Sequence, residues 1–222
     1  MFELFINNSK GQNNNLKIKK TIYKRQNFEI LFAIADSIDF IDTSYELVYN
    51  FYEKYFFNDK INQEKLNQVT YDCYYNLELS NYLFSHTSVL IAIFDKEKNL
   101  VYGINNGVFL VHKILFEKER VYDHKYLSIN NNKKISIDQE DNVFVPINFF
   151  SNIDKESMVF ITNIMVESYI DINFLSAAIS YVYFENNMEN QNGVLDMVSD
   201  LLIDNMKNNL DLSVFFALIK NS

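Results

Sequence analysis

Leu31-Phe32-Ala33-Ile34-Ala35-Asp36 is the stretch whose reading decides the fold. Five apolar residues in a row, preceded by Phe28 and Ile30, read as a strand with both faces covered rather than one half in water. The run ends on a carboxylate, and Ser37-Ile38-Asp39-Phe40 follows with no glycine to shape a permissive turn. A buried strand that delivers one acid to a turn is therefore the centre from which the rest is laid out.

Strands are expected on either side of it: Phe2–Ile6, Leu16–Tyr23 with Leu16 and Ile18 alternating against Lys17 and Lys19, and Phe28–Ala35 itself. Thr43 and Glu46 form a capping-box pattern that opens a helix, with Leu47, Val48, Phe51, Tyr52 and Tyr55 at helical spacing. A polar joint, Asn58-Asp59-Lys60, leads to a second helix from about residue 62 to 82, with Leu66, Val69, Cys73 and Leu77 inward. Strands resume at Ser88–Phe94, Leu100–Ile104 and Val108–Phe116, with turns at Lys96-Glu97-Lys98-Asn99 and Asn105-Asn106-Gly107. Residues 130–142 read as loop with one short strand. Met158–Thr162 is a further buried strand, two helices follow around Ile172–Val182 and Val194–Asn205, and Leu212–Ile219 closes the chain.

Hairpin-linked strands with helices segregated in pairs define an α+β protein: a four-layer α-β-β-α sandwich, two stacked antiparallel sheets flanked by helix pairs. No internal repeat or linker interrupts the 222 residues, so 1–222 reads as a single domain. Apolar residues make up 48% of the chain, with 20 Phe and 15 Tyr, enough for a large core without disulfides. Cys73 is the one cysteine and falls in an apolar stripe, which makes it core rather than a reactive thiol.

Composition excludes several classes. A net charge of −9 with no basic stripe argues against nucleic acid. No apolar run reaches the roughly 18 residues of a membrane helix, so no membrane insertion is expected. Met1–Ile6 lacks the basic start and length of a secretory signal, and a cytoplasmic protein is expected. The 31 asparagines, with abundant Ile, Phe, Tyr and Lys, suggest the drift of an AT-rich genome. Four glycines and one proline are few for a catalyst built on glycine-rich loops. His86, His112 and His124 show no metal-ligand spacing and read as packing residues. Asp36, Asp39 and Asp42 lack the alternating oxygens of a calcium loop, so the last two read as solvated acids. Tyr71-Asp72-Cys73-Tyr74-Tyr75 puts aromatics on more than one side of the second helix.

Six segments in order resemble the metal-dependent Ser/Thr protein phosphatases (PPM, type 2C), especially the compact bacterial members. Lys10-Gly11-Gln12-Asn13-Asn14-Asn15 is similar to that family's Arg-x-x-Asn-Glu-Asp, and Phe32–Asp36 to its Phe-Ala-Val-Ala-Asp. Ser85–Leu90 resembles Met-Gly-Thr-Thr, and Val101–Leu110 resembles Val-Ala-Asn-Val-Gly-Asp-Ser-Arg-Ala-Tyr. Met158–Val166 and Asn209–Phe216 resemble the strands that carry Ser-Asp-Gly and Arg-Asp-Asn.

The resemblance implies a dinuclear Mg²⁺ or Mn²⁺ site held by carboxylates, with a bridging water as nucleophile. Carried over residue by residue, the ligand positions fall on Asn15, Asp36, Asn163 and Leu210, or Asp211 with a one-residue shift. The phosphate-gripping arginine falls on Lys10, which lacks the bidentate fork. Three of the four ligand positions would be neutral in the unshifted register, and Ser-Asp-Gly becomes Thr162-Asn163-Ile164. The expectation is thus a pseudophosphatase: not an enzyme, without cofactor, acting through protein partners, for example in a bacterial secretion or virulence apparatus. Asn15, Asp36, Asn163, Asp211 and Lys10 would be vestigial positions. The alternative is a weak or divergent phosphatase with Mn or Mg at a site including Asp36, and a third reading is an unrelated α+β binding protein.

Overall fold

The computed structural model describes residues 2–7, 16–78, 87–117, 120–127, 147–154, 156–185, 200 and 214–219. Ten strands, β1 (Phe2–Asn7), β2 (Leu16–Arg25), β3 (Phe28–Ser37), β4 (Ser88–Asp95), β5 (Leu100–Asn105), β6 (Phe109–Glu117), β7 (Arg120–Tyr126), β8 (Ile147–Asn152), β9 (Ser157–Asn163) and β10 (Val214–Ile219), form two sheets. One runs β2-β3-β4-β5-β8 and the other β1-β10-β9-β6-β7. Every pairing is antiparallel. The helices described are α1 (Ile41–Tyr52), α2 (Gln63–Glu78), α3 (Ile164–Tyr169) and α4 (Ile172–Glu185). The α+β sandwich expected from the sequence is the architecture found.

Strand β3 shows why its sequence is continuously apolar. Leu31, Ala33 and Ala35 pack with Leu90, Ala92, Phe109, Val111, Val159, Ile161 and Phe215 in the space between the sheets. Ile30, Phe32 and Ile34 pack with Val48, Tyr52, Phe56, Phe57, Leu66, Val69 and Cys73 beneath α1 and α2. Small residues on the sheet-facing side let the two sheets close, and large ones on the helix side fill the wider gap. Phe32 is the hub of that second core, with the rings of Tyr45, Tyr49, Tyr52 and Phe57 centred 5.6–6.1 Å away.

Between α1 and α2 the chain makes a π-helical turn, Glu53–Phe57. Phe56 and Phe57 are both fully buried although adjacent. A regular α-helix turns successive side chains about 100° apart, and the wider π-turn lets both reach the core. Arg25 donates to the carbonyls of Phe57 (3.0 Å) and Asp59 (2.7 Å), placing a cation at the end of this segment.

Several details differ from the sequence reading. Helix α1 begins at Ile41 and its first turn has no side-chain cap, because buried Ile41 is drawn into the helix and Thr43 falls inside it. Strands β5 and β6 do not pair: Asn105-Asn106-Gly107 carries the chain from one sheet to the other instead of closing a hairpin. Strands β7 and β8 and the short α3 were not anticipated, since β7 and β8 are edge strands with weak alternation. The expected strand within 130–142 and the helix at Val194–Asn205 lie outside the described residues.

Gly103 pairs with Phe149 across β5 and β8. A Cβ there would stand 2.0 Å from the Ile91 carbonyl oxygen and 2.7 Å from the Phe149 ring. Gly103→Ala is expected to cost about 1–3 kcal/mol through overpacking, read as a lower urea midpoint with unchanged slope.

Candidate functional site

Asp36 sits at the end of β3 and is 1% exposed. It shares strand parity with Phe32 and Ile34, so its side chain lies on the α1 side of the sheet. Its Oδ2 accepts hydrogen bonds from Ser44 Oγ at 2.5 Å and from Thr87 Oγ1 at 2.7 Å. Its Oδ1 accepts from the Ser37 backbone N–H at 2.6 Å. Ser44 belongs to α1 and Thr87 precedes β4, so the carboxylate ties three elements together. Hydrogen bonds to a charged acceptor of this kind are short and about twice as strong as neutral ones.

Asn163 is fully buried at the end of β9, the strand that pairs with β6 at Phe109. It shares parity with Val159 and Ile161 and thus points between the sheets, away from the layer that holds Asp36. Its Oδ1 accepts from the Phe215 backbone N–H at 3.2 Å. The two described positions of the expected ligand set therefore stand on different faces of different sheets. Asn15, Asp211 and Lys10 lie outside the described residues. Among the described residues, no group of three or more His, Cys, Asp or Glu is placed to hold a metal ion. Of the expected ligand set, the described residues supply one carboxylate, Asp36, and its oxygens already have donors.

The other acids follow local needs. Asp39 and Asp42 are exposed, and Asp42 pairs with Lys19. Asp171 caps α4, accepting from the backbone N–H groups of Asn173 (2.9 Å) and Phe174 (3.0 Å). Cys73 is buried and its thiol is pushed up to about 12 by burial, the inert core cysteine expected. Tyr71 and Tyr75 stack on each other in solvent, outside the core face of α2.

A second polar cluster lies on the outer face of the other sheet. His112 of β6, fully buried, meets His124 of β7 at 2.9 Å and Glu167 of α3 at 2.6 Å. Glu167 also accepts from Tyr126 Oη (2.9 Å) and Thr162 Oγ1 (3.1 Å). Burial pushes the Glu167 carboxyl up, but the hydrogen bond and charge of His112, with Tyr126 and Thr162, outweigh it and hold the group below its ordinary 4.5. Burial, reinforced by the hydrogen bond and charge of Glu167 and by Asp171, raises Tyr126 to about 12.

Sequence reading found Asp36 and missed its partners. Ser44 was visible only as a small polar residue on the inner stripe Ile41, Ser44, Val48. The histidine pair was invisible because β7 was not recognised as a strand.

No family model and no curated protein matches the sequence. Solved structures do match. The S. agalactiae serine/threonine phosphatase superposes with a TM-score of 0.67 at 7% identity, covering 100% of this chain and 99% of that one. The Mycobacterium tuberculosis serine/threonine phosphatase PstP gives 0.63 at 7% identity, with 100% and 99% covered. RsbX in complex with magnesium gives 0.62 at 10% identity, with 100% and 94% covered. The chain has the fold of the metal-dependent Ser/Thr protein phosphatases.

Two expectations are corrected by these likenesses. The protein was expected not to be an enzyme, whereas the chains sharing its fold over their whole length include several named as phosphatases. It was expected to use no cofactor, whereas RsbX is in complex with magnesium and the PstP catalytic domain with two manganese ions. Both expectations rested on vacant ligand positions counted along the chain, and two of the four ligand positions lie outside the described residues. No helix among the described residues is long and apolar enough to cross a membrane.

Asp36→Ala would strand two buried hydroxyls and is expected to cost about 3 kcal/mol, while Asp36→Asn, which keeps an acceptor, costs less; chemical denaturation measures both. Glu167 has a depressed folded pKa, so its contribution is whole above pH 4.5 and is lost as pH falls below it. Glu167→Gln should therefore be about 2 kcal/mol less stable than wild type at pH 7, with the gap closing only as pH falls below 4.5.

Proposed function

We propose that the protein is a weak, divergent Mn²⁺- or Mg²⁺-dependent phosphatase acting on phosphoserine or phosphothreonine in proteins, with the whole chain, 1–222, as its domain. The observation that carries this reading is Asp36, a buried carboxylate kept at the end of the central strand in a fold whose solved examples hold magnesium or manganese. The protein partner anticipated from the sequence is then its phosphorylated substrate.

The same geometry argues that activity is weak. Ser37, Ser44 and Thr87 already donate to both oxygens of Asp36, so a cation has to compete with three short hydrogen bonds. Hard cations favour anionic oxygen, and Asn163 offers only a neutral amide oxygen engaged by Phe215. Both effects lower cation affinity relative to a site with free carboxylates.

The test is phosphate release from a phosphoserine peptide with Mn²⁺ varied from micromolar to millimolar, for wild type and Asp36→Asn. Manganese-dependent turnover that Asp36→Asn lowers at least about tenfold, about 1.4 kcal/mol of barrier, is the expected result. Turnover absent at every Mn²⁺ concentration, or unchanged in Asp36→Asn, would sink the proposal.

A further inference from the structure

The cluster on the outer face of the second sheet has a direction built into it. Ionised Glu167 can only accept hydrogen bonds, so the 2.6 Å contact requires His112 Nε2 to carry a hydrogen. In neutral His112 the other ring nitrogen, Nδ1, is then an acceptor, and the hydrogen in the 2.9 Å contact belongs to His124 Nε2. These tautomers are assigned from the partners of each atom. The imidazoles lie 23° from parallel with centroids 5.0 Å apart, too far for face-to-face contact and suited to an edge-to-edge N–H···N bond. The Phe160 ring lies nearly parallel to His112, 4.6 Å between centroids, and the Tyr126 ring closes another side at 4.4 Å. Thr162 Oγ1 is 3.4 Å from His112 Nε2 and donates to the same Glu167 oxygen.

His112 is sealed from water, whereas His124 is partly exposed and its Nδ1 has no partner among the described residues. A chain of bonds thus runs from the exposed edge of His124 through buried His112 to a half-buried carboxylate. We propose that His124, His112 and Glu167 form a one-proton relay that carries positive charge from the surface of β7 to His112, against the α3 carboxylate, and tightens the β9–α3 junction in mild acid.

The step balances as follows. A hydronium proton binds His124 Nδ1 and releases water, the Nε2 proton of His124 moves to His112 Nδ1, and His124 is left neutral. The charge emerges on His112, against Glu167. One N–H bond forms and one breaks at His124, and one forms at His112. A second proton is refused, because two imidazolium rings this close repel each other. The lowered proton affinity of His124, caused by burial and then by His112, and opposed by Glu167 and Asp123, agrees with charge resting on its neighbour.

The surroundings leave Glu167 as the counter-charge. On β7, Asp123 pairs with Lys125 at 3.1 Å. On β6, the Lys113 ammonium donates to the Asn152 carbonyl. Strand β9 has no titratable residue, and α4 none that is charged from Ile172 to Phe184. Asp171, between α3 and α4, caps α4. Helix α3 has six residues and no side-chain cap, so it depends on its ties to the sheet. Glu167, with its three side-chain donors, is such a tie, and a charged His112 strengthens it.

Imidazole nitrogen shifts of the full chain, followed by NMR from pH 8 to pH 5, test this. At pH 8 both rings should carry their hydrogen on Nε2. On acidification the two should take up one proton between them with a common midpoint, the hydrogen appearing at His124 Nδ1 and His112 Nδ1. Protection of the Ile170 amide, which donates to Val166 at the end of α3, should rise about threefold over that range after correction for intrinsic exchange. In Glu167→Gln the midpoint should fall and the gain in protection vanish. Separate midpoints, a His112 hydrogen on Nδ1 at pH 8, protection that is flat with pH, or a titration unchanged in Glu167→Gln would each overturn the relay. The wild-type shifts decide the matter even if the variant fails to fold.

Discussion

Covering both faces of β3 at once is the constraint from which this molecule is built. A strand with Leu31, Ala33 and Ala35 on one side and Ile30, Phe32 and Ile34 on the other cannot leave either side in water. One face demands a second sheet and the other demands helices. Strand β4 repeats the pattern beside it, with Leu90 and Ala92 facing one way and Val89, Ile91 and Ile93 the other. Three of the four layers, the two sheets and the α1–α2 pair, follow from those two strands. Even the π-turn at Glu53–Phe57 is a response to the same demand, since it lets two adjacent phenylalanines fill the space above Phe32.

Where that strand ends, its last side chain inherits the geometry. Asp36 falls on the helix face by parity, and the nearest groups able to satisfy a buried carboxylate are hydroxyls on α1 and before β4. Burying a charge is costly unless donors surround it, and three donors do so here. The arrangement binds β3, α1 and β4 into one corner and leaves a cation to compete for oxygens already engaged. Shared fold with phosphatases that hold metal, and weak provision for metal among the described side chains, are therefore both properties of the same corner.

The opposite outer face uses polar groups differently. There, a histidine pair, a tyrosine, a threonine and a glutamate share their hydrogen bonds beneath a six-residue helix that has no side-chain cap. Satisfied polar networks fix one arrangement, and here the His112, Tyr126, Thr162 and Glu167 side chains all find partners.

The alternation of the strands, the inner stripes of α1 and α2 and the acid at the end of β3 could be read from residue order. Each is a local pattern of side-chain size and polarity, and burial enforces such patterns wherever they occur. The start of α1 could not be read, because the burial of Ile41 overrode the Thr43–Glu46 pattern. Strand β7, with Asp123, His124 and Lys125 in sequence, has no alternation to betray it, and it exists because β6 offers it an edge. Which hydroxyls surround Asp36, which sheet β6 joins and that His112 meets His124 were decided only by tertiary structure. Pairing across strands brings together residues 12 or 51 positions apart, and no periodicity in the chain encodes which of them will touch.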